Sequence, residues 1–157
     1  MREIAVTRYL TVSAGIEHAF DVLSAEDVLP SLLHRFGPIP AVVGTTELTG
    51  PWVTPGASRT VVLADGGSAH EELTDYERPR YFAYRVTELP APLGVLVRSA
   101  RGRWWLDSAA GHTQIRWTYS FEPATRAAAP VLWPVVHVLW RGYMRGAMRA
   151  LEAILSQ

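Results

Sequence analysis

The feature that most constrains the fold is a run of strand-like segments followed by one long amphipathic helix. Six segments with alternating or β-branched composition are separated by turn signals, and they lie near 41–49, 57–64, 68–77, 80–89, 95–107 and 112–122. From Ala124 to Gln157 apolar residues recur at helical spacing. A helix of this kind can bury its apolar side only by lying across the inner face of the sheet.

The first forty residues add one strand and two short helices. Residues 4–12 alternate apolar and polar side chains, which predicts a further strand. Ile16, Phe20 and Leu23 lie on one side of a short amphipathic helix, and a second helix follows with Pro30 in its first turn. We therefore predict one α+β domain over residues 1–157. Its seven-stranded curved antiparallel sheet wraps around the long C-terminal helix, and the two short helices lie between strands 1 and 2.

The C-terminal helix has a predicted buried face and a predicted basic face. With a rotation of about 100° per residue, the buried positions are Leu132, Val136, Leu139, Tyr143, Ala147, Ala150 and Ile154. Arg141, Arg145, Arg149 and Glu152 fall on the opposite, solvent side.

Composition excludes several classes of function. The chain has 15 basic and 15 acidic residues, and every basic residue is arginine. Without lysine it lacks the phosphate-binding side chain of a P-loop and the amine of Schiff-base chemistry. Zero net charge argues against nucleic-acid binding, and the absence of cysteine excludes disulfides and a thiol nucleophile. No apolar run is long enough for a transmembrane segment or an export signal, so we predict a cytoplasmic protein.

Motifs for metal-dependent and nucleophilic chemistry are incomplete. The stretch from Gly66 to His70 lacks the final glycine of a nucleophile elbow. His70 and Glu71 begin like a zinc motif, but Thr74 occupies the position of the second histidine. The five histidines form no pair at i, i+4 spacing. We therefore predict no metal and no cofactor, and the sequence leaves the catalytic residues, if any, unknown.

Strand parity places one carboxylate and many aromatic rings inside the sheet. Leu73 marks the inward side of its strand, so Glu71 points in and Glu72 points out. Glu71 is then a polar anchor or a general base with a raised pKa; the alternative is a rim residue paired with an arginine. The inward aromatic residues either fill the core or line a cavity. The candidate ligand-binding residues are Glu71, Tyr84, Trp104, Trp117, Tyr119, Trp140 and Tyr143.

Four stretches carry a resemblance to a known superfamily. They are AGIEHAFDVLSAEDVLPSLL, EELTDYERPRYFAYRV, GRWWLDSAAGHTQIRWTYSFEP and the arginine-bearing final helix. Over essentially its whole length the chain resembles the START/Bet v 1-like (SRPBCC) superfamily, in particular its bacterial polyketide cyclase/dehydrase-like branch. The resemblance implies a helix-grip fold around an apolar ligand cavity, and it carries no invariant catalytic motif.

Three functions follow from this reading. The first is binding or carriage of an apolar small molecule, such as a lipid, an isoprenoid or an aromatic polyketide. The alternative is a polyketide cyclase/aromatase- or dehydratase-type enzyme, and a weaker alternative is a protein-interaction module. We expect a cavity of a few hundred cubic ångströms, with its mouth between Leu29 and Leu33 on one side and Leu89 and Leu93 on the other. The predicted partner is the apolar ligand, and the protein is a monomer or a homodimer.

Overall fold

A computed structural model describes residues 2–157 and contains one seven-stranded antiparallel sheet. The strands are β1 (Ile4–Val12), β2 (Val42–Thr46), β3 (Ser58–Leu63), β4 (Ser68–Glu77), β5 (Tyr81–Thr87), β6 (Val97–Ala109) and β7 (His112–Pro123). Their spatial order is β1-β7-β6-β5-β4-β3-β2, so five consecutive hairpins follow β2 and the first strand pairs with the last. This arrangement confirms the predicted sheet.

The helices close one side of the sheet and run across its inner face. They are α1 (Ile16–Leu23), α2 (Leu29–Leu32), α3 (Leu93–Leu96), α4 (Ala129–Pro134), a π-helical segment (Val135–Trp140) and α5 (Arg141–Leu155). The last three form a continuous rod that packs against β1 and α2. The two short helices between β1 and β2 and the long C-terminal helix confirm the helix-grip fold. Helix α3 was not predicted, because Leu93 was placed at the cavity mouth and residues 95–96 were assigned to the start of the strand near 95–107. None of the helices within residues 2–157 is long and apolar enough to cross a membrane.

The hairpin between β3 and β4 sets the register of the polar residues inside the sheet. Gly66 has a φ of +90°, which glycine adopts without strain, and the backbone N–H of Gly67 donates to the Asp65 carboxylate at 2.9 Å. Pairing outward from this turn places Arg59 directly opposite Glu71. Both side chains therefore lie on the same face of the sheet.

The buried face of the C-terminal rod differs from the prediction after Val136. Leu132, Val136, Tyr143 and Ala147 are buried as predicted, but Leu139, Ala150 and Ile154 are only half-buried. The additional buried positions are Trp140, Met144, Met148, Leu151 and Leu155. A π-turn holds more residues than an α-turn, so the segment from Val135 to Trp140 shifts the inward face by one position. Arg141, predicted to be exposed, is half-buried, whereas Arg145 and Arg149 are exposed.

The inner face of strand β7 is buried as predicted, but its outer face is less exposed to solvent than predicted. Its inward residues, Ile115, Trp117, Tyr119 and Phe121, are all buried. On the outer face Arg116 is exposed, but Thr118 and Ser120 are buried as well. They are covered by neighbouring side chains, since Thr118 bonds Thr7 at 2.8 Å and Arg103 donates to Ser120 at 3.3 Å.

Candidate functional site

Six of the predicted ligand-binding residues form one continuous aromatic cluster inside the sheet. Trp104 and Trp117, on neighbouring strands, stack at 4.3 Å with nearly parallel rings. Tyr119 joins Trp117 to Tyr84 and to Trp140, and Trp140 contacts Tyr143 at 5.0 Å between ring centroids. Period-2 alternation on β5, β6 and β7 brings these rings together, and the π-helical segment turns Trp140 towards them.

A buried ion pair lies beside this cluster. Two guanidinium nitrogens of Arg59, Nε and Nη2, donate to the same Glu71 oxygen, Oε1, at 3.0 and 2.7 Å. The two residues are only 4% and 5% exposed, so the pair is almost fully removed from water. Glu71 therefore points inward, as its parity predicted, and it is also paired with an arginine. The pairing with an arginine agrees with the second interpretation, although Glu71 is buried and not on a rim. Its role as an anchor or a general base stays a prediction.

The loop before β3 and the chain after α1 fix the position of Arg59. Its guanidinium lies 3.9 Å from the centre of the buried Trp52 ring, a cation–π contact. Its Nη1 donates to the backbone carbonyl of Glu26 at 3.2 Å, and the Glu26 carboxylate accepts from the Trp52 backbone N–H. Arg59 is thus held by an ion pair, a ring and a carbonyl.

Burial shifts the ionisation of the groups around the pair. Loss of solvent raises the pKa of Glu71, and the adjacent Arg59 opposes part of that rise. Burial also raises the pKa of Tyr84, and the negative charge of Glu71 adds to the effect. The pKa of Tyr119 and that of Tyr143 are raised chiefly by burial. These tyrosines are therefore hydrogen-bond donors throughout the physiological pH range; Tyr143 donates to the Pro40 carbonyl at 3.1 Å.

The cavity next to the ion pair is small. Its volume is about 30 Å³, room for about one water molecule. The expected volume of a few hundred cubic ångströms is wrong for this structure, because the stacked rings occupy the space. Besides Arg59, it is lined by Leu23, Ala25, Val28, Leu29, Leu32, Leu33, Trp52, Phe82, Tyr84, Trp104 and Trp117.

The predicted site residues divide around this cavity. Tyr84, Trp104 and Trp117 line it, and so do Leu29 and Leu33 from the predicted mouth. Glu71 does not line the cavity but pairs with Arg59, which does. Tyr119, Trp140 and Tyr143 lie farther from the cavity, within the aromatic cluster. Leu89 and Leu93 are not among its lining residues and pack as half-buried side chains against the core. The cavity is therefore closed by α2 and the chain around it.

One wall of the cavity carries an unpartnered hydrogen-bond donor. The indole Nε1 of Trp117 is buried and makes no hydrogen bond of good geometry within residues 2–157, although it lies close enough to the Tyr84 hydroxyl to lower the pKa of that group slightly. The Nε1 of Trp140 is likewise buried without a partner. A buried N–H without a partner costs free energy comparable to a lost hydrogen bond. Trp117 is the one of these two that lines the cavity, so a ligand with an acceptor oxygen could satisfy it.

Two residues of the site, Arg59 and Trp52, were not among the predicted site residues. Counting outward from the Asp65–Gly67 turn would pair residue 59 with residue 73, two positions from its observed partner, residue 71. The sequence therefore predicts that Arg59 and Glu71 share a face of the sheet, but not that they are direct partners. Trp52 lies in a loop, and no periodic pattern predicts its burial. No group of three histidine, aspartate or glutamate side chains within residues 2–157 is close enough to hold a metal ion.

A glycine on β6 makes room for the Tyr84 ring. Gly102 pairs with Tyr84 on one side and with Tyr119 on the other, and a Cβ built at Gly102 would overlap the Tyr84 ring. We expect Gly102→Ala to lower the free energy of unfolding by about 1–3 kcal/mol, since the ring must move within a packed core. Urea unfolding measures this change.

Gly146 provides the matched control for Gly102. It is exposed in the middle of α5, and a Cβ there meets nothing within 4 Å. Gly146→Ala should raise stability by about 0.5–1 kcal/mol, because alanine restricts the unfolded chain. Equal effects of the two substitutions would contradict the proposed close approach of Tyr84 to Gly102.

With the geometry described, comparison with known proteins decides the family. Residues 2–156 match the profile of the family described as polyketide cyclase / dehydrase and lipid transport. The chain belongs to this family. The match covers nearly every residue and so confirms the resemblance seen in the sequence. No curated protein sequence matches this family member.

Solved structures share the fold of this family member at low sequence identity. Ara h 8.0201 superposes with a TM-score of 0.74 at 15% identity, covering 99% of each chain. Norcoclaurine synthase from Thalictrum flavum, in complex with dopamine and hydroxybenzaldehyde, gives 0.73 at 13% identity and covers 99% of this chain and 87% of that one. The di-domain ARO/CYC protein BexL gives 0.70 at 16% identity, covering 99% of this chain and 50% of that chain. At such identities these likenesses show the fold alone.

Proposed function

We propose that the protein binds an apolar small molecule whose polar end is a neutral acceptor oxygen, such as a carbonyl or a hydroxyl group. The observation that carries this proposal is the buried Arg59–Glu71 pair at the end of an aromatic interior. A buried ion pair contributes little to stability compared with well-packed apolar side chains. A fixed polar group within an apolar wall is typical of ligand sites, where it orients the ligand.

The chemistry of the polar end follows from the donors that remain. Three N–H groups of Arg59 are used by Glu71 and the Glu26 carbonyl, which leaves two of its five donors. The Nε1 of Trp117 adds another donor without a partner. Glu71 already balances the charge of Arg59, so a second carboxylate brought into this site would be an uncompensated buried charge. A neutral acceptor is therefore preferred over a fatty-acid anion.

Access requires movement of the chain around α2. This helix has only four residues, and Leu29, Leu32 and Leu33 form the wall between the cavity and solvent. Short elements with few buried contacts open at low free-energy cost. We infer that a ligand enters by displacing this wall and enlarges the cavity as it binds.

The experiment compares two ligands of nearly the same shape. 2-Acetylnaphthalene and 2-ethylnaphthalene differ by one carbonyl oxygen, so any difference in affinity reports a polar contact. We expect the ketone to bind about 2- to 10-fold more tightly, the effect of one hydrogen bond. Isothermal titration calorimetry gives both dissociation constants, and 2-naphthoate should bind more weakly than either.

The control removes the donor and keeps the ring. In Trp117→Phe the preference for the ketone should shrink towards unity while 2-ethylnaphthalene still binds. If neither naphthalene binds the folded wild-type protein, the interior is solid core and the proposal fails. If 2-naphthoate binds best, the charge argument is wrong and a carboxylate ligand replaces the neutral one.

A second candidate function is catalysis of the cyclase or dehydratase type. It is favoured by the convergence of titratable groups, since Glu71 lies diagonally across from Tyr84 on the same face of two neighbouring strands. In such a reaction Glu71 would accept a proton and Tyr84 would donate one. Exchange of the α-protons of 2-acetylnaphthalene in D₂O, followed by NMR, tests it. We expect faster exchange with wild-type protein than with Glu71→Gln if this function is present.

A further inference from the structure

Six of the arginines gather along the edge of the sheet formed by β1 and the adjoining helical rod. They are Arg2, Arg8, Arg126, Arg141, Arg145 and Arg149, and we call them the arginine face. Residues 2–12 and 124–157 contain these six arginines and two carboxylates, Glu3 and Glu152, so this part of a chain with zero net charge carries a local excess of positive charge. Within residues 2–157 the ion pairs are made by Arg59, Arg78 and Arg98, and none by these six.

Two observations place the six side chains on one surface. Arg2 and Arg126 line a single open groove with Trp133 and His137, in which Glu3 is the one carboxylate. Further along β1, the pKa of Arg8 is lowered by partial burial and by the positive charges of Arg141, Arg145 and Arg149. On α5, Arg141, Arg145 and Arg149 follow one another at four-residue spacing and are neighbours on the helix. Trp133 contacts His137 on the preceding part of the same rod.

The same part of the rod exposes apolar side chains. Val131, Trp133 and Val138 are 55%, 56% and 63% exposed, and the tilted rings of Trp133 and His137 are in contact, with their centroids 4.4 Å apart. These residues precede the row of arginines on the same rod. A helix with exposed apolar and aromatic residues next to arginine is the composition of helices that lie in the interface of a membrane.

We propose that this face docks on a membrane surface that contains anionic phospholipid. The arginines are complementary to the phosphate and carboxylate groups of the lipid headgroups. Trp133 and the two valines enter the headgroup boundary, where tryptophan is favoured. A nucleic acid would use the arginines but would leave the valines exposed to water, and zero overall charge disfavours it. The docking surface is separate from the interior cavity and does not depend on the proposed ligand.

Vesicle binding by the protein of residues 1–157 tests the proposal. We expect the protein to sediment with vesicles of phosphatidylcholine and phosphatidylglycerol and much less with phosphatidylcholine alone. Replacing Arg141, Arg145 and Arg149 together by glutamine should weaken binding at least tenfold, since each arginine near an anionic surface strengthens binding by roughly fivefold. Trp133→Gln should weaken it several-fold, and this loss should persist at high salt.

A charge-matched variant separates the face from net charge. Arg80, Arg85 and Arg101 are exposed elsewhere on the protein, and their triple replacement by glutamine removes the same charge. This control should retain nearly full binding, and circular dichroism should show both variants folded. Equal losses in the two triple variants would overturn the proposal, as would no preference for anionic vesicles. Light scattering that shows a dimer dissociated by Trp133→Gln would overturn it in favour of a second copy of the chain.

Discussion

Replacing Glu71 by glutamine should lower the free energy of unfolding by about 3–5 kcal/mol. The substitution leaves the Arg59 guanidinium charged, 4% exposed and without a counter-charge. Its guanidinium has lost its solvent shell, and the Trp52 ring and the Glu26 carbonyl that remain do not replace the counter-charge. Chemical denaturation of the two proteins at neutral pH measures the difference.

The double variant Arg59→Met/Glu71→Leu is the control for this prediction. It removes both charges and fills the space with apolar atoms, so it should recover most of the stability lost by Glu71→Gln. If the double variant is as unstable as Glu71→Gln, the ion pair stabilises the fold more than apolar side chains of similar size would, and the prediction is wrong. The double variant should also lose the preference for 2-acetylnaphthalene if Arg59 contacts the ligand.

Replacing Trp104 by alanine should be similarly costly, at about 3–5 kcal/mol. Trp104 is 4% exposed, stacks on Trp117 and lines the existing 30 Å³ cavity. Removing the indole joins the new space to this cavity. Added indole should then raise the melting temperature of the variant more than that of wild type, because a ligand stabilises the state that binds it. Trp104→Leu gives a milder form of the same test if the alanine variant does not fold.

The neighbouring residue supplies the matched control. Trp105 points to the other side of β6, is half-exposed, and lies under the guanidinium of Arg116 at 4.1 Å. Trp105→Ala should cost less, about 1–2 kcal/mol, because it removes the cation–π contact with Arg116 and the partly buried contact of the indole with Tyr81. It should show no rescue by indole. Comparable losses at positions 104 and 105 would mean that the two faces of β6 are not as distinct as the structure shows.

The sequence predicted the sheet and the inward residues because strand alternation is strictly periodic. Once one side of β7 is assigned to the core, Trp117 and Tyr119 must both lie on that side. On β4, Glu71 lies on the inner side because it is two residues from Leu73, which belongs to the core. The fold was predictable for the further reason that a sheet and an amphipathic helix have few ways to bury each other's apolar faces.

Sequence periodicity failed to predict the features of segments in which the helical or strand period changes or is absent. The π-turn before Arg141 inserts part of a residue into the helical repeat, so Trp140 and Met144 replace Leu139 on the inner side. Trp52 is buried from within a loop. The volume of the cavity depends on how far the Trp104 and Trp117 rings fill the space, and ring packing is a three-dimensional property that a one-dimensional pattern does not encode.

The pairing of the first strand with the last has a consequence for the order in which the chain can fold during synthesis. Residues 4–12 find their partners at residues 113–121, which leave the ribosome about 5 to 20 s later at a rate of about 5–20 residues per second. During that interval Val6 and Val12, later among the buried core residues, have no strand to join. The consecutive hairpins from β2 to β7 can form as they emerge. The nascent protein therefore carries an unpaired, β-branched segment until β7 has been synthesised, and we expect a holdase chaperone to bind this segment.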